Sequence, residues 1–298
     1  MKIMRIRFEK PALYKEGWHA ERERSKIMTK LFKHKFGFSI GEKFDGPLPI
    51  LTDNGFGFLE VGLRLITSDR EFLNNAIDFV IKEKERLGFE TRTAHLPFSP
   101  GYDLSVLNED ERLQAIENQK EAIEFSRRLG YSIVVLHPDR GNIPEEDYEK
   151  RHEALIKSLK DFAPWCKEKG IKIAVENLTQ VSSVQTSKAL VKIIEAVGCD
   201  NVGICFDVNH LFKETHREFI KTAGKYILTM HTTDNDGVTE KHWFPGDGVI
   251  DWKEIFELLD EVNYDSTMIC ECASILANDE KYPQDIVRLK ENILAING

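Results

Sequence analysis

Several apolar segments of this 298-residue chain end in a side chain that can bind a metal ion or move a proton. Imidazole nitrogens and carboxylate oxygens are common ligands of divalent cations, and the same groups act as general acids and bases. If the segments are parallel strands of one sheet, their carboxyl ends meet at one edge and gather these residues into a single site. The residues are His95, His137, Glu176, Asp207, His231 and Glu271.

These segments alternate with amphipathic helical patterns, which is typical of a mainly parallel α/β fold. Strands are predicted at Phe36–Ile40, Phe58–Val61, Glu90–His95, Ser132–His137, Ile171–Glu176, Val202–Asp207, Tyr226–His231 and Thr267–Glu271. Helices are predicted at Asp69–Leu87, Asp110–Leu129, Glu145–Lys169, Ser187–Val197, Asn209–Ala223, Asp251–Val262 and Pro283–Ile296, with an irregular start to the first helical interval, Gly41–Gly57. The pattern predicts a TIM (β/α)₈ barrel in residues 36–298.

Side chains alternate between the two faces of a strand, so Glu176 lies one layer above the small residue Ala174. Glu271 faces the opposite side from Cys270 and Cys272, which disfavours a thiolate metal site. A buried group of acids would carry a large cost in lost hydration, and a divalent cation would relieve it. The positions expected to face outward and pack against the helices are Val175, Phe206, Met230, Cys270 and Cys272.

Seven short motifs surround the strand ends and follow one another in the order AHLPF, VLHPDR, AVENL, CFDVNH, MHTTDND, KHWFPGDGVIDW and ICEC. In this order they resemble the xylose isomerase-like TIM-barrel superfamily, and the resemblance covers most of residues 36–297. That superfamily includes sugar and sugar-phosphate isomerases and epimerases, inosose dehydratases and endonuclease IV. Each motif alone is weak, because any polar residue can end a strand, but their shared order makes the resemblance specific.

The resemblance implies a divalent metal held by four residues, Glu176, Asp207, His231 and Glu271. The oxygen-rich ligand set favours manganese (Mn²⁺) first, with Mg²⁺, Co²⁺ and Zn²⁺ as alternatives. Glu176 and Glu271 are also the predicted catalytic residues, because both could move protons. The predicted substrate-binding residues are His95, His137, His210, His242 and Glu60.

Two functions follow from this resemblance. The first is an isomerase or epimerase of a sugar, sugar phosphate or related polyol carbonyl compound, which would work through a stabilised enediolate. The alternative is an endonuclease IV-like phosphodiesterase on abasic DNA, whose longer ligand list has Asp where this chain has Glu240. The strand-end loops offer mainly Arg64, Arg140 and Lys241 to a phosphate backbone, which favours the isomerase.

The composition also restricts the partners. A formal net charge of −9 opposes a dominant attraction to nucleic acid or to an anionic membrane surface. The N-terminus lacks the continuous apolar run of a secretory signal, and no segment has the length of a membrane span. Five cysteines, an odd number without a CxxC pair, are expected to be reduced thiols in a cytoplasmic protein. No glycine-rich nucleotide-binding motif is present.

Residues 1–35 are expected to form an N-terminal extension before the barrel. Within it, Glu21–Lys33 has a basic helical pattern. This segment could cap the lower mouth of the barrel, mediate self-association into a homo-oligomer, or form an ordinary solvated helix.

Overall fold

Eight parallel strands close into a barrel in the order in which they occur in the described part of the chain. The structure is a computed structural model, and it describes residues 32–40, 48–63, 70–179, 182–272 and 282–296. The strands are β1 (Lys35–Ser39), β2 (Phe58–Gly62), β3 (Glu90–His95), β4 (Ile133–Leu136), β5 (Lys172–Glu176), β6 (Val202–Asp207), β7 (Ile227–His231) and β8 (Thr267–Cys270). Pairing of β1 with β8 completes the ring.

A helix follows each strand and covers the outside of the barrel. The helices are α1 (Leu48–Asp53), α2 (Arg70–Leu87), α3 (Glu109–Ser126), α4 (Tyr148–Glu168), α5 (Ser187–Val197), α6 (His216–Ala223), α7 (Trp252–Glu261) and α8 (Tyr282–Ile296). The predicted TIM (β/α)₈ barrel is therefore confirmed. Each helix packs with its apolar side against the strands, because burial of that side removes apolar surface from water.

The core has two layers, as the alternation of strand side chains predicts. Val175, Phe206, Met230, Cys270 and Cys272 are buried in the layer between strands and helices. Inside the barrel a smaller cluster contains Ile133, Val135, Ala174 and Cys205. Ala174 and Cys205 lie one layer below Glu176 and Asp207, and thus form an apolar floor beneath the strand ends.

One predicted helix was placed wrongly at its start. Asn209–Ala223 was expected to be a single helix, but α6 begins only at His216. Thr215 caps α6, because its side chain accepts a hydrogen bond from the backbone N–H of Glu218 while Glu218 bonds back to Thr215. Such a capping box begins a helix and leaves upstream residues outside it. Val208–His210 forms instead a short 3₁₀ helix directly after β6.

Some predictions fall outside the described residues. They concern the N-terminal extension up to residue 31, the interval 41–47 before α1, and Arg64. Among the residues that are described, none of the helices combines the length and the apolar character that a membrane span requires.

Candidate active site

The carboxyl ends of the last four strands bring the four predicted metal ligands together. Glu176, Asp207 and His231 are the final residues of β5, β6 and β7, and Glu271 directly follows β8. The register pairs Asp207 with His231, so the two side chains start from neighbouring positions on the rim. A barrel of parallel strands thus brings together residues that are far apart in the chain.

Three carboxylates of this group point at one nitrogen atom. The Nδ1 atom of His231 lies 3.1 Å from Oε1 of Glu176, 3.3 Å from Oε2 of Glu271 and 3.8 Å from Oδ2 of Asp207. A ring nitrogen carries at most one proton, so it can donate a hydrogen bond to only one of the three. Two buried oxygens, Oε2 of Glu176 and Oδ2 of Asp207, accept no hydrogen bond from the described residues.

The two glutamates differ in electrostatics and in exposure. Burial and the charges of Glu60 and Glu176 raise the pKa of Glu271 to about 7, although the charge of His231 acts in the opposite direction. Burial also favours the neutral form of Glu176, but the charge and hydrogen bond of His231 outweigh it and hold the pKa of Glu176 well below its usual range. The side chain of Glu271 is 22% exposed, against 2% for Glu176.

His95 and His137 meet at the second carboxylate oxygen of Glu176. Their Nε2 atoms lie 3.4 Å and 3.2 Å from Oε2 of Glu176. Burial lowers the pKa of His95, but the close approach of its Nε2 atom to Glu176 and the charge of Glu176 outweigh burial and raise this pKa to about 9. The ring of Phe98 stacks on His137 with the centroids 4.3 Å apart. Both histidines are partly exposed and can reach a molecule bound at this rim.

His210 and His242 flank the predicted metal ligands on the opposite side, with Glu240 between them. Nε2 of His210 lies 3.5 Å from both Oδ2 of Asp207 and Oε1 of Glu240. Nε2 of His242 lies 3.1 Å from the same Glu240 oxygen. Burial opposes the charged form of His210, but the charge of Asp207 and the hydrogen bond of Glu240 outweigh burial and raise its pKa to about 10.

Glu60, a predicted substrate contact, lies beside His231. Its side chain is fully buried. Its carboxylate lies on the far side of the His231 ring, with Oε1 3.2 Å from Nε2. Glu60 therefore contacts a predicted metal ligand, and its contact with substrate stays a prediction.

The described residues contain three groups, two of which share Glu176, in which ligand atoms lie within 4.8 Å of one another, as they do around a cation. None of these groups contains all four predicted ligands, since Glu176 and Asp207 belong to one and His231 and Glu271 to another. Ligand bonds of about 2.1 Å leave neighbouring ligand atoms roughly 3 Å apart, and the carboxylates lie 3.1–3.8 Å from Nδ1 of His231. The donor set of carboxylates and imidazoles, with buried oxygens that lack a hydrogen bond, fits a divalent cation. The groups are His95, His137 and Glu176; Glu60, His231 and Glu271; and Glu176, Asp207 and His210.

Sequence reasoning overlooked Asp234, which builds the loop between β7 and α7. Its buried carboxylate accepts hydrogen bonds from the backbone N–H groups of Asn235, Gly246 and Ile250 and from Nε1 of Trp252. A Cβ atom at Gly248 would lie 2.1 Å from Oδ1 of Asp234, so this position requires glycine. The sequence does contain a signal for this role, because Asp234 lies in the MHTTDND motif and most of its donors lie in the downstream PGDG-x-IDW motif.

Three asparagines with no predicted role tie the rim loops together. Asn177 donates to the carbonyl of Asp207 and accepts from the backbone N–H of the same residue, at 2.8 Å and 2.9 Å. Asn235 donates to the side-chain oxygen of Asn209 at 2.9 Å, and Asn209 donates to the carbonyl of Lys241. The loop that carries Glu240 and His242 is thereby attached to the end of β6.

The family model described as xylose isomerase-like TIM barrel matches residues 50–292. The chain belongs to this family. The predicted family resemblance is therefore confirmed, and the match extends through all four residues that converge at the rim.

Curated relatives with similar sequences carry related names. The chain is 29% identical over 226 residues to an uncharacterised protein of Methanocaldococcus jannaschii, which covers 72% of each chain. It is 29% identical to an inosose isomerase of Bacillus velezensis, covering 60% of this chain and 68% of the relative. It is 25% identical to an inosose dehydratase of Histophilus somni, covering 67% and 68%. Another relative, from Sinorhizobium fredii, is matched over only 51% of its length.

Solved structures give the same picture for the fold. A D-tagatose 3-epimerase-like protein superposes with a TM-score of 0.71 at 25% identity, covering 88% of this chain and 98% of the other. A D-psicose 3-epimerase superposes with a TM-score of 0.72 at 19% identity, covering 89% and 100%, which supports the fold alone. The relatives and neighbours with named activities include isomerases, dehydratases and epimerases, which agrees with the expected class of enzyme.

Proposed function

We propose that this protein is a divalent-metal-dependent isomerase or epimerase of a sugar, sugar phosphate or related polyol carbonyl compound. The observation that carries the proposal is the convergence of three carboxylates on Nδ1 of His231. Without a cation, three buried anions would compete for a single ring proton, at a large cost in lost hydration. With a cation, the same four groups are a complete ligand set.

The proposed ligands are Glu176, Asp207, His231 and Glu271. Manganese is the first choice, because carboxylate-rich sites suit Mn²⁺ and Mg²⁺ better than thiolate-selected metals. Zinc is the principal competitor, since a structural neighbour at 17% identity and a TM-score of 0.73, the IolI protein, is described with a bound zinc atom. When bound, a divalent cation stabilises negative charge that develops on adjacent substrate oxygens.

Glu176 and Glu271 are the proposed acid and base. They approach from β5 and from the end of β8, which are separated by β6 and β7 on the ring. Such a separation lets two carboxylates address opposite faces of one substrate carbon. Carboxylates can accept and return protons in general acid–base catalysis, and Glu271 is the more exposed of these two. Its partial exposure gives it access to the substrate.

The proposed substrate contacts are the histidines around this centre. His95 and His137 expose part of their rings beside Glu176, where they can hydrogen-bond to substrate hydroxyls. His242 is more exposed and lies at the other side, while His210 is nearly buried. His210 is fixed by a 2.8 Å contact between its Nδ1 atom and the carbonyl of Asn177.

A phosphodiesterase on abasic DNA is the second candidate, and one observation favours it. His95, His137 and Glu176 form a ligand group separate from Nδ1 of His231, as an enzyme with several metals requires. Glu240 additionally lies between His210 and His242. The net charge of −9 weighs against a nucleic-acid substrate, and the named relatives include isomerases, dehydratases and epimerases.

The experiment that tests the proposal combines metal replacement with solvent isotope exchange. The protein is stripped with a chelator, reloaded with Mn²⁺, Co²⁺ or Zn²⁺, and incubated in D₂O with a panel of ketoses, aldoses, inososes and their phosphates. We expect chelation to abolish turnover, and Mn²⁺ or Co²⁺ to restore it. We also expect the product to carry deuterium at a carbon next to the carbonyl group, because an enediolate exchanges its proton with solvent.

The other outcomes separate the alternatives. Full activity after verified removal of all metal would contradict the metal-dependent mechanism. Isomerised product without deuterium would keep the enzyme class but indicate a hydride shift in place of carboxylate base catalysis. Cleavage of a duplex that contains an abasic site, with no turnover of any sugar, would select the phosphodiesterase.

A further inference from the structure

We propose that Glu60 is a positioning residue that orients His231, by accepting the Nε2 proton so that the Nδ1 lone pair faces the three carboxylates. The inference rests on the proposed function for the identity of the group at Nδ1, a divalent cation. It replaces the predicted contact between Glu60 and substrate with a contact to the metal-binding histidine.

The geometry removes Glu60 from contact with solvent and places it against His231. Both of its carboxylate oxygens lie near Nε2 of His231, at 3.2 Å and 3.4 Å, and its side chain is fully buried. Val61, the next residue in β2, is buried on the helix side of the barrel. Glu60 therefore points inward, below the rim, toward the imidazole.

Imidazole chemistry gives this contact its consequence. A neutral ring has one N–H donor and one lone pair, and the hydrogen bond made at one nitrogen decides the state of the other. If Nδ1 carried the proton, the Nε2 lone pair would face the carboxylate of Glu60 and repel it. With the proton on Nε2, Glu60 accepts a hydrogen bond and Nδ1 is free to bind a cation. Carboxylates commonly orient metal-binding histidines in this manner.

The burial of Glu60 agrees with this role. A buried carboxylate without a partner would lose several kcal/mol of hydration, by order of magnitude, so it needs a donor close by. In the described part of the chain, Nε2 of His231 is the donor that the geometry provides, at 3.4 Å from Oε2 of Glu60, while Oε1 of Glu60 accepts no hydrogen bond. The two sides of the ring thus have separate tasks, since Nε2 contacts a structural carboxylate and Nδ1 faces the site.

The test compares two substitutions at Glu60 with two reference variants. Glu60→Gln keeps the size of the side chain and an oxygen that can accept the Nε2 proton. Glu60→Leu keeps the approximate size but removes the acceptor. Val61→Ala, in the same strand and equally buried, controls for loss of packing without contact to His231. Glu271→Gln shows the effect of changing a proposed direct ligand.

The first measurement is the affinity for Mn²⁺ and Zn²⁺, by calorimetry on purified, metal-stripped protein. We expect Glu60→Leu to weaken binding about 10- to 100-fold, as for other residues that orient metal ligands, and Glu60→Gln to weaken it less. Val61→Ala should retain the parent affinity. Binding by Glu60→Leu within twofold of the parent, with a raised KM for substrate, would overturn the inference and restore the substrate contact.

The inference would also be overturned if Glu60→Gln lost as much metal affinity as Glu271→Gln, because Glu60 would then itself be a ligand. The second measurement does not require metal. In protein labelled with ¹⁵N at histidine, we expect the Nε2 proton of His231 to exchange slowly with solvent in the parent and faster in Glu60→Gln, so the test stands even if Glu60→Leu does not fold.

The two measurements also separate this inference from the proposed function. If the parent binds no divalent cation but shows the protected Nε2 proton, and this protection is lost in the Glu60 variants, then the proposed function fails and the orientation by Glu60 stands. If the parent binds metal but the Nε2 proton exchanges equally fast in parent and variants, the inference fails and the proposed function stands.

Discussion

Two kinds of buried carboxylate lie at the same rim of this barrel. Asp234 is completely buried and accepts four hydrogen bonds from N–H groups of its own loop and of α7. Glu176 and Asp207 are equally buried, but each has an oxygen that accepts no hydrogen bond from the described residues and faces imidazole nitrogens. Burial alone therefore does not distinguish a structural acid from a functional one.

The partners make the distinction. Asp139 resembles Asp234, because it accepts from the backbone N–H of Gly141 and of Ser183 and from the hydroxyls of Ser182 and Ser183. Backbone and hydroxyl donors satisfy a carboxylate permanently and fix the loop that supplies them. Carboxylate oxygens that face histidines and other carboxylates have lone pairs left for a cation. Those that converge on His231 are of this kind, although the other oxygen of Asp207, Oδ1, accepts a hydrogen bond from the backbone N–H of Asn209.

The largest effect should follow from changing the second kind of carboxylate. Glu176→Gln and Glu271→Gln each remove a charged ligand and a candidate base, so we expect turnover to fall about 10³-fold or more in each variant. The measurement is the initial rate on the best substrate from the panel, with circular dichroism to confirm that the barrel is folded.

Glu257→Gln serves as the control for these variants, because Glu257 is an exposed glutamate on α7. It should retain the parent rate. Near-normal activity in either Glu176→Gln or Glu271→Gln would refute the assignment of that residue to the site.

For the structural kind of carboxylate, represented by Asp234, we expect a smaller effect, and we expect it on stability and not on turnover. Asp234→Asn puts an amide group where two N–H donors now meet each carboxylate oxygen, so at least one buried donor loses its acceptor. We expect the free energy of unfolding to fall by about 1–3 kcal/mol. Urea unfolding of metal-free protein measures the change.

Glu271→Gln provides the contrast in the same assay. Its substitution removes one charge from a crowded group of anions, so the metal-free variant should be as stable as the parent or more stable. If Glu271→Gln destabilised the metal-free protein as much as Asp234→Asn did, the proposed division into two kinds of carboxylate would be wrong.

The smallest effect is expected at an exposed carboxylate. Asp200 pairs with Nζ of Lys167 at 2.7 Å, and both side chains are largely exposed. Solvent screens such a pair, and so Asp200→Asn should change the free energy of unfolding by less than about 0.5 kcal/mol. The same urea assay measures it, and a loss above about 1 kcal/mol would show that exposure is a poor guide to which acids matter here.

Much of the fold follows from the sequence because periodicity reports directly which side chains are buried. The predicted strands Glu90–His95 and Val202–Asp207 agree with β3 and β6 at both ends. The predicted start of α6 at Asn209 was wrong, because an apolar pattern does not reveal the capping box that starts this helix at His216. The hydrogen bonds of Asp234 were also missed, since their donors are up to 18 positions away along the chain.

The sequence by itself determined the alternation of strands and helices, the residue types at the strand ends and their order around the barrel. Those properties depend on local patterns and on the fixed geometry of parallel strands. Only the tertiary structure decided which atoms meet. Nδ1 of His231 faces three carboxylates and Nε2 faces Glu60, 171 positions away, because ring closure brings β2 across from β7. The orientation of a side chain depends on neighbours from several strands at once, and no local pattern contains that information.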